Sequence, residues 1–149
     1  QVIKYVKCPV LGIPLEYSYR RPERILFPSA LMIPFKPREL KLISCLAKSY
    51  RSEMHLLYIS DFDRLSLRQE DVKAAWEYHF RESKMKYTRR DEGDTAEILN
   101  SYVAENDINI LVMVNSKHTY METLLHTSTI DKVVLNTKIP FLVLQNLPR

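Results

Sequence analysis

The sequence predicts an α/β fold: an open five-stranded parallel sheet with helices on both faces. Three observations carry that expectation. Strand-length apolar runs alternate with stretches of helical periodicity from Arg24 onward, the order expected of a parallel sheet joined by helical crossovers. The run Ile108 to Val114 is largely apolar, as a strand covered on both faces would be. The chain has 149 residues, 46% of them hydrophobic and 27% charged, which suits one globular domain of ordinary size.

The elements follow in order. Six of the eight prolines lie between Pro9 and Pro37, so this region is not helical, and Tyr17 to Pro22 reads as linker. Arg24 to Pro28 is a short buried strand ended by proline. Pro37 suits a first helical turn, Glu39 suits the positive end of that helix, and Leu42, Ile43, Leu46 and Tyr50 make its apolar face. Met54 to Ile59 is the next strand. Ser66 and Gln69 have the spacing of a capping box, ahead of Val72, Ala75, Trp76, His79 and Phe80 on one helical face. Met85 to Arg90 is a weaker strand. Gly93 and Asp94 open a third helix, with Ile98, Leu99, Tyr102 and Val103 inward. After the strand at Ile108, Ser128 and Asp131 cap a fourth helix carrying Ile130, Val133 and Val134, and Pro140 to Leu144 is the final strand.

Composition excludes several functions. Gly12 and Gly93 are the only glycines, so neither a Walker-type phosphate loop nor a Rossmann fingerprint can be written. Cys8 and Cys45 stand alone, without a Cys-x-x-Cys pattern, which points to a reducing, cytoplasmic setting. No apolar run has the length of a membrane helix, so no membrane association is expected. The net charge is +4, but residues 1–24 hold five basic and two acidic groups, leaving the body nearly neutral. The basic cluster Lys84, Lys86, Arg89 and Arg90 lies beside Asp91, Glu92 and Asp94 and reads as a solvated face, so no nucleic-acid partner is expected. His55, His79, His118 and His126 lack the close pairing of a metal site; His79 reads as a packing residue. Ser128 with His126 or His118 could be imagined as a hydrolase pair, but nucleophile-elbow glycines are missing, and the expectation is that the chain is not an enzyme.

The two ends of the chain match one another. Val2 to Leu11 lies over Val133 to Leu142 with Val, Lys, Pro and Leu identical at positions 2, 7, 9 and 11. The offset is about one domain length, so residues 1–14 read as the closing strand of a preceding copy, 15–23 as linker, and 24–149 as the domain. The stranded segment Pro9 to Ile13 needs backbone partners and is expected to pair with Pro140 to Leu144 at the sheet edge, within the chain or between chains.

From Arg24 to Gln145 the sequence resembles the universal stress protein family. The resemblance rests on Ile25-Leu26-Phe27-Pro28-Ser29, Leu56-Leu57-Tyr58-Ile59, Glu92-Gly93-Asp94 and Ile110-Leu111-Val112-Met113. Its most specific segment is Ser128 to Val133 followed by Ile139 to Leu144. It implies the adenine nucleotide alpha hydrolase-like fold, often in tandem, a role in stress response, and in many members ATP binding. Those members use an aspartate after the first strand and a three-glycine loop after the fourth, whose glycines let backbone amides meet phosphates at a helix N-terminus. Here the aspartate position is Ala30, the glycine positions fall on Val114, Lys117 and Thr127, and Ser128 alone matches. Ser29, Ile59, Asn115, Thr127 and Ser128 would line the residual pocket. The resemblance thus implies a regulatory or interaction module without cofactor, self-associating as a homodimer, or pairing with the preceding domain, through Pro140 to Leu144. The alternative is an ATP- or AMP-binding switch with an altered loop, to which Lys117 and His118 would attract the anion.

Overall fold

The computed structural model describes residues 6–116 and 137–146. Within them the elements are β1 (Val10–Gly12), β2 (Arg24–Pro28), α1 (Pro37–Tyr50), β3 (Glu53–Ile59), α2 (Leu67–His79), β4 (Met85–Arg90), α3 (Thr95–Asn106), β5 (Ile110–Ser116) and β6 (Phe141–Asn146). The fourth expected helix lies outside the described residues.

The sheet has six strands in the order β1-β6-β5-β2-β3-β4. Five are parallel, as expected. The sixth is β1, which runs antiparallel along β6 with Val10 opposite Val143 and Gly12 opposite Phe141. The final strand is therefore not an edge; β1 covers it. Between β2 and β5 the chain order reverses, since β3 and β4 are laid down to one side and β5 and β6 to the other.

Period-two alternation divides the core into two layers. Ile25 and Phe27 of β2, with Met54, Leu56 and Tyr58 of β3, face α1 and α2. Leu26, Leu57, Met113 and Val143 face the other way, toward Leu99 and Tyr102 of α3. Helix α1 corrects the expected apolar face. Its buried stripe is Leu40, Ile43 and Ala47, while Leu42 is 44% exposed. Spacings of three and four admit both stripes, and the sheet selects the one rotated toward Glu39. Helix α2 buries Val72 and Trp76 and leaves Ala75 exposed and His79 half-buried.

The local signals work as their chemistry requires. Ser66 accepts from the Gln69 N–H at 3.2 Å and Gln69 Oε1 accepts from the Ser66 N–H at 2.9 Å, closing the capping box. Asp94 caps α3 by accepting from the Glu97 N–H at 3.2 Å. The linker is docked. The Asn109 side-chain oxygen accepts from both the Glu23 and Arg24 N–H groups at 2.9 Å, the Ser52 hydroxyl donates to the Pro22 carbonyl, and Arg20 forks onto Asp107 at 3.0 and 3.1 Å.

Candidate functional site

In an open α/β sheet the crevice forms at the carboxyl ends of the strands where the chain order reverses, here between β2 and β5. The register shows the opening. β2 pairs with β5 only at Ile25–Ile110 and Leu26–Leu111, whereas its pairing with β3 runs on to Pro28–Leu57. Beyond Leu26 the β2–β5 ladder ends, and Pro28-Ser29-Ala30-Leu31 carries the chain on from the end of β2.

That segment is pinned. The Ser29 N–H donates to the Leu57 carbonyl at 3.0 Å, and its hydroxyl oxygen accepts from the Leu31 N–H at 3.0 Å. From α2, Gln69 Nε2 donates to the Ala30 carbonyl at 3.1 Å and to the Tyr58 hydroxyl at 3.2 Å. Ala30 packs in the same apolar cluster as Ile59, and Leu31, at φ 58°, inserts a fully buried side chain into the opposite layer under α1 and α2. The chain after β2 is therefore anchored on both faces of the sheet.

The sequence-predicted site residues divide accordingly. Ser29 and Ile59 are 4% and 6% exposed and stand at the ends of adjacent strands beside the crevice. Asn115 lies on β5 in register with Gln145 of β6, on the far side of the gap. Thr127 and Ser128 lie outside the described residues, as do Lys117, His118 and His126. Val114 is 8% exposed and packs with Leu142 and Leu144 beneath the α1 layer, so its side chain fills core rather than crevice. Leu31 and Gln69 were invisible as site residues in the sequence. A leucine carries no signal of left-handed backbone, and the capping role of Gln69 hid the second use of its amide.

The carboxyl ends of β3 and β4 are acidic. Arg89 lies among Ser60, Asp63 and Asp91: its guanidinium donates to the Ser60 carbonyl at 2.6 Å and Asp91 at 2.8 Å and meets Asp63 at 3.0 Å, which raises its pKa further. Asp61 accepts from the Glu92 N–H at 2.9 Å. At this rim Arg89 is held by carboxylates and a carbonyl, and Arg90 pairs with Glu105 at 2.8 Å. At the amino ends of the strands a cavity of about 700 Å³ is lined by Lys48, Arg51 and Lys84 among Glu23, Glu53 and Glu82. Lys48 pairs with Glu82 at 2.8 Å, and Lys48 and Arg51 close the carbonyl end of α1, where positive charge complements the helix dipole. Among the described residues no three His, Cys, Asp or Glu side chains gather as metal ligands, and no described helix is long and apolar enough to cross a membrane.

Solved structures share the architecture. A universal stress protein from Archaeoglobus fulgidus DSM 4304 is 18% identical with a TM-score of 0.66, and the match covers 97% of this chain and 52% of that one. The functionally unknown protein PA1789 from Pseudomonas aeruginosa PAO1 is 16% identical at a TM-score of 0.64, over 97% of this chain and 54% of its own. The hypothetical protein MJ0577, subject of a structure-based assignment of biochemical function, is 19% identical at 0.58 over 87% of this chain and all of that one. This chain thus spans about half the length of the first two. No curated protein sequence matches it. The sequence profile of the universal stress protein family matches residues 40–145. With that profile over more than half its length and the family's solved structures sharing its sheet, the chain belongs to the universal stress protein family.

Proposed function

We propose that this domain is a non-enzymatic regulatory or interaction module of the stress response that no longer binds ATP. The observation that carries the reading is Ala30. Where ATP-binding relatives are expected to place an aspartate, this chain has a methyl group packed beside Ile59 and a carbonyl already engaged by Gln69 at 3.1 Å. The lost acceptor is worth roughly 1–3 kcal/mol to a bound ligand. The acidic rim at Asp61, Asp63 and Asp91 adds repulsion toward a triphosphate. Native mass spectrometry of freshly purified protein tests the reading: the expected spectrum is the bare chain, and retained ATP or AMP would favour the nucleotide switch. Phosphate release from added ATP should not exceed the blank. Release abolished by Ser128→Ala would instead make the domain a hydrolase.

We further propose that β1 stands in for the closing strand of a preceding copy, so that its pairing with β6 is a pseudo-dimer contact within a tandem protein in the cytoplasm. Supporting this are the sequence match between the chain's two ends and the antiparallel register of Val10 with Val143. A longer chain carrying both copies should elute as a monomer; a dimer joined through a free β6 would overturn the assignment.

A further inference from the structure

His55 is an ionisable side chain inside the sheet with no part in the crevice. It lies on β3, 2% exposed, on the face that α3 covers. Its Nδ1 is 2.7 Å from the Tyr102 hydroxyl, and that hydroxyl is 3.3 Å from Thr88 Oγ1 on β4. On the other side of the ring, Nε2 is 2.7 Å from Glu53 Oε1. Tyr102 is 1% exposed and is the largest side chain that α3 buries. One arrangement of protons suits all four groups. The neutral imidazole carries its proton on Nε2, toward the carboxylate. Tyr102 donates to Nδ1, and Thr88 donates to the Tyr102 oxygen.

We propose that the His55–Tyr102 contact is an acid-sensitive latch holding α3 against the sheet. Protonation places a hydrogen on Nδ1, which must then donate. The Tyr102 hydroxyl turns its lone pair to the ring and passes its own hydrogen toward Thr88, across the longer 3.3 Å gap. The reversed chain ends at Thr88 Oγ1, for which the described side chains supply no further acceptor. The surrounding charges are mixed. Glu53 on β3 favours the imidazolium, while Lys86 on β4 and Arg24 on β2 oppose it. Arg90 on β4 stands over the Tyr102 ring at 5.6 Å and pairs with Glu105 of α3 at 2.8 Å. Burial outweighs Glu53 and holds the imidazole below its ordinary 6.5. The unfolded chain therefore takes up the proton first. The latch is at full strength above that ordinary value and weakens as the pH falls through it toward the lower folded value. Since α3 leads through Asp107 to Asn109 directly into β5, a loosened helix slackens the entry to the strand that borders the crevice.

Amide hydrogen exchange with imidazole nitrogen NMR tests the latch. After correction for intrinsic rates, and with α1 as internal reference, opening of α3 should rise severalfold from pH 7.5 to 5.5. At pH 7.5 His55 should be neutral with its proton on Nε2. Tyr102→Phe, which keeps the ring, should open α3 more readily at pH 7.5 and lose most of the pH dependence. Exchange in α3 that tracks α1 at every pH, a proton on Nδ1 at pH 7.5, or a Tyr102→Phe chain with the parent's pH profile would each overturn the proposal. Should that variant fail to fold, the parent's tautomer and exchange profile decide alone.

Discussion

Leu31, Arg51 and Asp107 hold left-handed backbone at φ 58°, 51° and 50°, and none is glycine. Arg51 and Asp107 end α1 and α3, where glycine is the usual closing residue because it lacks the Cβ that makes this conformation costly. Arg51→Gly should therefore stabilise the protein by about 0.5–1 kcal/mol in urea denaturation. Leu31→Gly should do the reverse. It relieves the same backbone but empties a fully buried site, for a net loss of about 2 kcal/mol or more. Glu39 is 5% exposed and one of its carboxylate oxygens has no hydrogen-bond partner. Burial raises its carboxyl, so the native state holds that proton more tightly than the unfolded chain. The stability linked to it is complete in acid and lost as pH rises through the folded value. Glu39→Gln should match or exceed the parent by up to about 1 kcal/mol at pH 7, with the gap closing toward pH 4 in urea titrations. Asn109, 2% exposed, satisfies two backbone N–H groups at once. Asn109→Ala should cost about 2–3 kcal/mol by the same measurement, and Asn109→Asp should keep both bonds.

The strands and helices show what periodicity can and cannot settle. Strands β2 and β3 were readable as short apolar runs because both their faces enter apolar layers, and those layers differ only in which helices cover them. The capping box at Ser66 was equally plain, since its two hydrogen bonds are local. The face of α1 was not. Leu42 and Leu40 both fit a helical stripe, and only the position of the sheet decides between them. Ser29 and Ile59 were named through the family resemblance, and they stand after β2 and at the end of β3, whereas Leu31 and Gln69 act through contacts with distant segments. At one edge, β1 fits β6 because Gly12 leaves room for the Phe141 ring; a methyl group there would overlap it. Gly12→Val should cost about 1–3 kcal/mol by overpacking, read in urea denaturation. At the other edge, β4 carries Lys86, Arg89 and Arg90, charged side chains of the kind that keep an exposed strand from pairing with a second copy.

At the scale of the molecule, one sheet carries two unlike ends. At the amino ends, Asn109, Ser52 and Asp107 hold the linker and the start of β2 in place, while at the carboxyl ends the β2–β5 ladder stops short of Ala30 and the ends of β3 and β4 carry an acidic rim. The family fold accounts for the crevice but not for its use, because fold alone does not assign function and the chemistry rests on a few side chains. Here those side chains are an alanine, a buried leucine and an arginine surrounded by carboxylates. Isothermal titration of ATP into the parent chain and Ala30→Asp side by side is the most direct measurement. The parent should give no binding heat at millimolar ATP. A micromolar dissociation constant for the parent would contradict the loss of ATP binding.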